Sequence, residues 1–139
     1  VNIGLGTDGA ASNNRLDILQ EMRLAALLAK AQSARADVLD AHRVLEMATL
    51  AGARALALDS VIGSIVPGKL ADLTALRIDD LSLMPCYDPV SHLVYCLGRE
   101  HVSDVWVAGR QRVKDGQLLE NNEIDLVRLA ALWQNKIRP

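Results

Sequence analysis

The chain begins with Val1-Asn2-Ile3-Gly4-Leu5-Gly6-Thr7-Asp8, apolar residues alternating with small ones, and the pattern stops at Gly9. This predicts a short, wholly buried strand running straight into a loop. A strand of that kind needs parallel neighbours on both sides, because bare strand edges are sticky. The opening segment therefore restricts the chain to folds in which further strands close around residues 1–7. Those strands would come from a missing part of the same protein or from copies of the chain.

The rest of the sequence is mixed α and β. Asn13 and Asn14 are expected to cap a helix from about Leu16 to Lys30, with Leu16, Leu19, Met22, Ala26 and Leu27 on its apolar face. Asp40 caps a second helix, facing inward with Ala41, Val44, Leu45, Ala48 and Ala51. Gly52 allows a bend or close packing before a short helical piece, Ala53 to Leu58. After Asp59 the character changes. Leu73 to Ile78 and Val102 to Val107 read as strands, and the pairs Ala108-Gly109 and Asp115-Gly116 signal the turns of a small antiparallel meander. A short helix is expected at Val90 to Leu97. A last helix, Glu123 to Ile137, has acids at its start and Leu126, Leu129, Ala130 and Trp133 on one face. The organisation expected is 1–58, the last strand of a larger sheet with its helices, and 59–139, a small β domain with a terminal helix.

Composition excludes several function classes. Fifteen Lys plus Arg against seventeen Asp plus Glu give a net charge of −2, so there is no electrostatic footprint for nucleic acid or an anionic membrane. Aromatic residues are 3% of the chain, with no Phe, so platforms for stacked bases are missing. No uncharged apolar run approaches the ~20 residues of a membrane span. No secretory signal is visible, and a cytoplasmic location is expected. Cys86 and Cys96 are expected to be reduced, buried thiols. Their spacing around His92 is C-x5-H-x3-C, which matches no zinc knuckle or finger. His42, just inside a helix start, reads as a solvated or capping residue.

Gly4-Leu5-Gly6-Thr7-Asp8-Gly9 fits the pattern G-x-G-x-x-G between a strand and a helix. A dinucleotide-binding turn is nevertheless rejected. Asp8 would set a carboxylate beside the pyrophosphate, the helix starts well after the third glycine, and no second strand ending in an acid follows. The other reading makes Asp8 the chemistry: a carboxylate at the C-terminal end of a buried strand, where barrel enzymes collect catalytic groups. Gly6, Gly9, Ala10 and Ala11 leave room for a metal or substrate. Ser12, Asn13 and Asn14 supply uncharged polar groups behind it. Composition and spacing alone favour a plainer role, in which Asp8 caps a turn and Ser12 to Asn14 cap the helix.

Resemblance shifts that balance. Gly6-Thr7-Asp8-Gly9-Ala10-Ala11-Ser12-Asn13-Asn14-Arg15-Leu16-Asp17, continuing into Glu21-Met22-Arg23, resembles the last barrel strand and loop of the metal-dependent amidohydrolases. Within that family it is most similar to the branch of 5-methylthioadenosine/S-adenosylhomocysteine deaminases and triazine chlorohydrolases. Glu46-Met47-Ala48-Thr49-Leu50-Ala51-Gly52-Ala53-Arg54-Ala55-Leu56 resembles the family's helix pair after the barrel. The run from Ile62 to Leu73 resembles its return into the small β domain, and Val105-Trp106-Val107-Ala108-Gly109-Arg110 the late strand and turn. The matches are collinear and span nearly the whole chain.

The resemblance implies an α/β fold: the C-terminal end of a TIM-type (β/α)8 hydrolase barrel, part of a small β-sandwich and a terminal helix. It implies that Asp8 binds a catalytic divalent metal, zinc first among the candidates, and moves a proton from its water. Ser12 and Asn13 would line the loop behind it or meet substrate. The reaction implied is hydrolytic deamination of an adenine nucleoside. Alternatives are a chlorohydrolase, another heterocycle deaminase such as one for guanine, or, in a different class, a non-catalytic interaction module. The family's ligand histidines and proton-shuttling glutamate precede the matching aspartate, and only seven residues precede Asp8. The chain is therefore expected to be the C-terminal part of a larger enzyme, inactive and without tight zinc by itself. Its expected partners are a small heterocyclic substrate, the remaining N-terminal part and further copies in a homo-oligomer.

Overall fold

The structure is a computed structural model that describes residues 1–120 and 123–137. Helix α1 (Ile18–Ser33) begins where the buried Asp17 side chain accepts from the N–H groups of Leu19 and Gln20. The cap is thus Asp17, not Asn13 or Asn14. Asn13 instead closes a turn ahead of the helix, its side-chain oxygen accepting from Arg15 and Leu16 N–H at 3.1 Å each. Leu16 takes a φ of 49° in that turn and stays half exposed, as does Leu27. Leu19, Met22 and Ala26 form the buried stripe.

Asp40 caps α2 (Ala41–Ala48), accepting from Arg43 N–H at 2.9 Å. The break before α3 (Leu50–Ala55) falls at Thr49, with φ −127° and ψ −94°, and α3 runs through Gly52 rather than starting after it. Helix α4 (Pro89–Tyr95) has Asp88 as its cap and Pro89 in its first turn. The core joins α1, α2 and α4: Leu19, Met22, Ala26, Ala41, Val44 and Val94 are buried together. Arg23 ties α1 to the end of α4, donating to the carbonyls of Val94 (3.3 Å) and Leu97 (2.7 Å). Cys86 is half-buried and Cys96 exposed, both free thiols, so the expected burial does not hold.

The sheet is the expected antiparallel meander: β1 (Leu73–Leu76), β2 (Val102–Val107), β3 (Arg110–Lys114) and β4 (Gln117–Leu118) lie in sequence order. Ala108-Gly109 and Asp115-Gly116 are two-residue hairpin loops with φ of 49° and 77° in both pairs. Such values suit the right-handed twist of the flanking strands. Between α1–α3 and the sheet runs a groove of about 920 Å³, bordered by Leu19, Leu45, Leu56, Ile65, Leu70 and Val105 among others. Helix α5 (Glu123–Ile137) has its expected bounds, yet every one of its residues is exposed, Trp133 included. Amphipathicity sets which face a helix would bury; it does not supply the surface that covers it.

Candidate functional site

Residues 1–9 form no paired, buried strand among the described residues. No ladder forms along them among the described residues, Val1 and Ile3 are exposed, and Leu5 and Thr7 are only half-buried. A strand exists through its neighbours, and the described residues offer this segment no strand to pair with. The segment docks instead on the α2–α3 break. Leu5 N–H donates to the Met47 carbonyl at 2.8 Å, and the Asn2 amide donates to the Ala51 carbonyl at 2.8 Å.

Asp8 follows this docked segment with a φ of 58°, exposed at the head of the loop. Its Oδ1 accepts from Gly9 N–H at 2.7 Å. The Ser12 hydroxyl first, and the Gly9 N–H second, hold the Asp8 carboxyl below the ordinary aspartate range. An exposed aspartate is already an anion at neutral pH, the form a metal ligand takes. The loop then closes on itself: Ser12 N–H (3.0 Å) and Asn13 N–H (2.9 Å) both donate to the Gly9 carbonyl. Asn13 reaches past the turn and donates from its amide to Glu21 Oε1 on α1 at 2.7 Å.

Asp8, Ser12 and Asn13 therefore lie on one small loop, and Glu21 joins it from α1. Glu21 lies inside the stretch that resembles the family, but sequence reasoning gave it no role. Nothing in its spacing from Asn13 signals a contact, because the loop between them must first fold back. The histidines stay apart from Asp8. His42 is exposed, His92 Nε2 pairs with the Leu83 carbonyl at 3.0 Å, and His101 Nδ1 accepts from Gly98 N–H at 3.0 Å. Among the described residues no three His, Cys, Asp or Glu side chains gather as a metal site. One carboxylate fits the chemistry of a ligand, but it does not make a site, since zinc takes about four donors.

The profile of the amidohydrolase family matches residues 1–112. The chain belongs to the amidohydrolase family. Among curated relatives, this amidohydrolase chain is 46% identical over 137 residues to a 5-methylthioadenosine/S-adenosylhomocysteine deaminase of Teredinibacter turnerae, covering 99% of the chain and 31% of the relative. It is 48% identical over 118 residues to a 5'-deoxyadenosine deaminase of Methanothermobacter thermautotrophicus, covering 85% of the chain and 27% of the relative. Among solved structures, an adenosine deaminase from Xanthomonas campestris with bound zinc superposes with a TM-score of 0.95 at 45% identity. That match covers 99% of this chain and 31% of the other. Atrazine chlorohydrolase from Arthrobacter aurescens complexed with zinc gives 0.85 at 26% identity, over 95% of this chain and 29% of the other. The chain thus spans about 31% of the length of its deaminase relatives. Among the described residues, no helix is long and apolar enough to cross a membrane.

Proposed function

We propose that the whole protein is a metal-dependent hydrolase that deaminates an adenine nucleoside such as 5-methylthioadenosine or S-adenosylhomocysteine. Residues 1–58 supply its last barrel strand, ligand loop and following helices, and residues 59–139 part of the small β domain and the terminal helix. The observation that carries this reading is the 0.95 superposition, at 45% identity, on a zinc-containing adenosine deaminase. The deaminase names of the relatives at 46% and 48% identity support the same substrate class. The uncovered apolar groove beside the sheet, with Leu56, Ile65 and Leu70 exposed along it, supports further polypeptide packing there in the cytoplasmic enzyme.

In this reading Asp8 is one ligand of a divalent metal, zinc by likeness to the neighbours, and the remaining ligands lie outside the described residues. Bound, such a metal makes hydroxide available near neutral pH. Asp8 would take the proton given up as water becomes the nucleophile and would return it to the departing amine nitrogen, so that ammonia leaves. Ser12 and Asn13 shape the loop on the substrate side. A chlorohydrolase is the second reading, carried by the superposition on atrazine chlorohydrolase, and the drop from 45% to 26% identity ranks it below the deaminase. The test is a substrate panel with the full-length enzyme. Adenine nucleosides should turn into their hypoxanthine counterparts with release of ammonia. Inert nucleosides together with chloride release from a chlorotriazine would overturn the reading in favour of the second.

A further inference from the structure

Asp8 is exposed and its backbone is left-handed, so its direction depends on what holds the loop around it. The upstream side is held by Leu5 on Met47 and Asn2 on Ala51. Downstream a continuous series of hydrogen bonds leads from the carboxylate to a helix. Asp8 Oδ1 accepts from Gly9 N–H, the Gly9 carbonyl accepts from Asn13 N–H, and the Asn13 amide donates to Glu21. The polarity of Asn13 is fixed, because its oxygen already accepts from Arg15 and Leu16 N–H. Only its nitrogen can face Glu21, whose carboxylate makes the bond charge-assisted. Glu21 stands next to Met22, which is 2% exposed in the core, so the far end of the series is anchored on a helix of the core.

We propose that Asn13 and Glu21 are positioning residues: their hydrogen bond clamps the loop onto α1 and aims Asp8 at the metal. The inference rests on the reading of Asp8 as a ligand. Asn13→Asp removes the donor of the clamp. It keeps the oxygen that Arg15 and Leu16 need, while setting one carboxylate against another. Adding Glu21→Gln restores a donor and acceptor with the polarity exchanged.

The test uses the full-length enzyme and zinc itself as probe, with affinity measured by chelator competition. N13D should weaken zinc about tenfold to a hundredfold, the range for residues that orient a metal ligand. Its kcat should fall more than its KM rises, and amide exchange of residues 9–16 should quicken in the metal-free protein. N13D/E21Q should recover affinity to within about threefold of the parent, as expected for two coupled sites. Parent-like affinity in N13D, or no recovery in the double variant, overturns the clamp. Asp8→Ala separates the two claims. If it keeps zinc, the ligand reading fails; the exchange rates of residues 9–16 then still decide whether the clamp holds the loop.

Discussion

Gly4 lies so close to Gly52 that a Cβ on Gly4 would stand 2.9 Å from the Gly52 Cα and 3.3 Å from its nitrogen. Two glycines let the segment leading to Asp8 rest directly on the backbone of α3. Beside this contact run the bonds from Leu5 to Met47 and from Asn2 to Ala51. Gly4→Ala should therefore push the segment off α3. The expected cost is about 1–3 kcal/mol, as for other overpacked sites, read as a lower urea midpoint. An unchanged midpoint would mean that the segment is not seated as described.

Asp17 is the working cap of α1, nearly buried, with Arg15 at 3.8 Å from its carboxylate. Asp17→Ala removes the acceptor for Leu19 and Gln20 N–H and should cost about 1–2 kcal/mol. Asn14→Ala, at the position that the sequence also offered as a cap, should change the thermal midpoint far less. Equal losses in the two variants would contradict the assignment.

How much of this was legible beforehand follows from how local each feature is. The limits of β2 and α5 and both hairpin turns were readable, because they depend on runs of adjacent residues and on Ala108-Gly109 and Asp115-Gly116 accepting positive φ. The cap of α1 was not, since Asn13, Asn14 and Asp17 are all good capping residues and only the turn at Leu16 decides among them. Residues 1–7 form no ladder among the described residues, because a ladder needs partner strands and no pattern within the segment can supply them. Asp8, Ser12 and Asn13 are legible as one loop because they fall within six consecutive residues. Glu21 was missed because its contact is made only after the loop folds back.

Arg23 is the main polar link between α1 and the end of α4. Arg23→Ala strands the carbonyls of Val94 and Leu97, both residues being almost fully buried. The loss should be about 1.5–3 kcal/mol, the range for hydrogen bonds to a charged group. Arg23→Lys should recover only part of it, because an ammonium lacks the planar fork that reaches both oxygens. Full recovery in a denaturation series would contradict the two-carbonyl role.

Glu46 bridges the α2–α3 break, pairing with Arg43 at 2.6 Å and Arg54 at 2.8 Å. Arg43 first and Arg54 second hold its carboxyl below the ordinary glutamate value of 4.5. A carboxyl lowered in the folded state stabilises the fold above its unfolded pKa, and that contribution disappears as pH falls through the folded one. Glu46→Gln should thus lower the melting temperature at neutral pH by a modest amount, the groups being solvent-accessible. The gap from the parent should close as pH drops from about 5 to 3. A gap independent of pH would show that the pairs carry no net stabilisation.

The central claim is that Asp8 binds the metal of a deaminase, and the most direct measurement is zinc content together with ammonia release in the full-length enzyme and its Asp8→Ala variant. The parent should hold stoichiometric zinc and release ammonia from an adenine nucleoside. The variant should lose its zinc and drop in turnover by about a thousandfold or more, since it lacks both the ligand and the proton-transfer group. A variant that keeps its zinc and its turnover would contradict the assignment of Asp8.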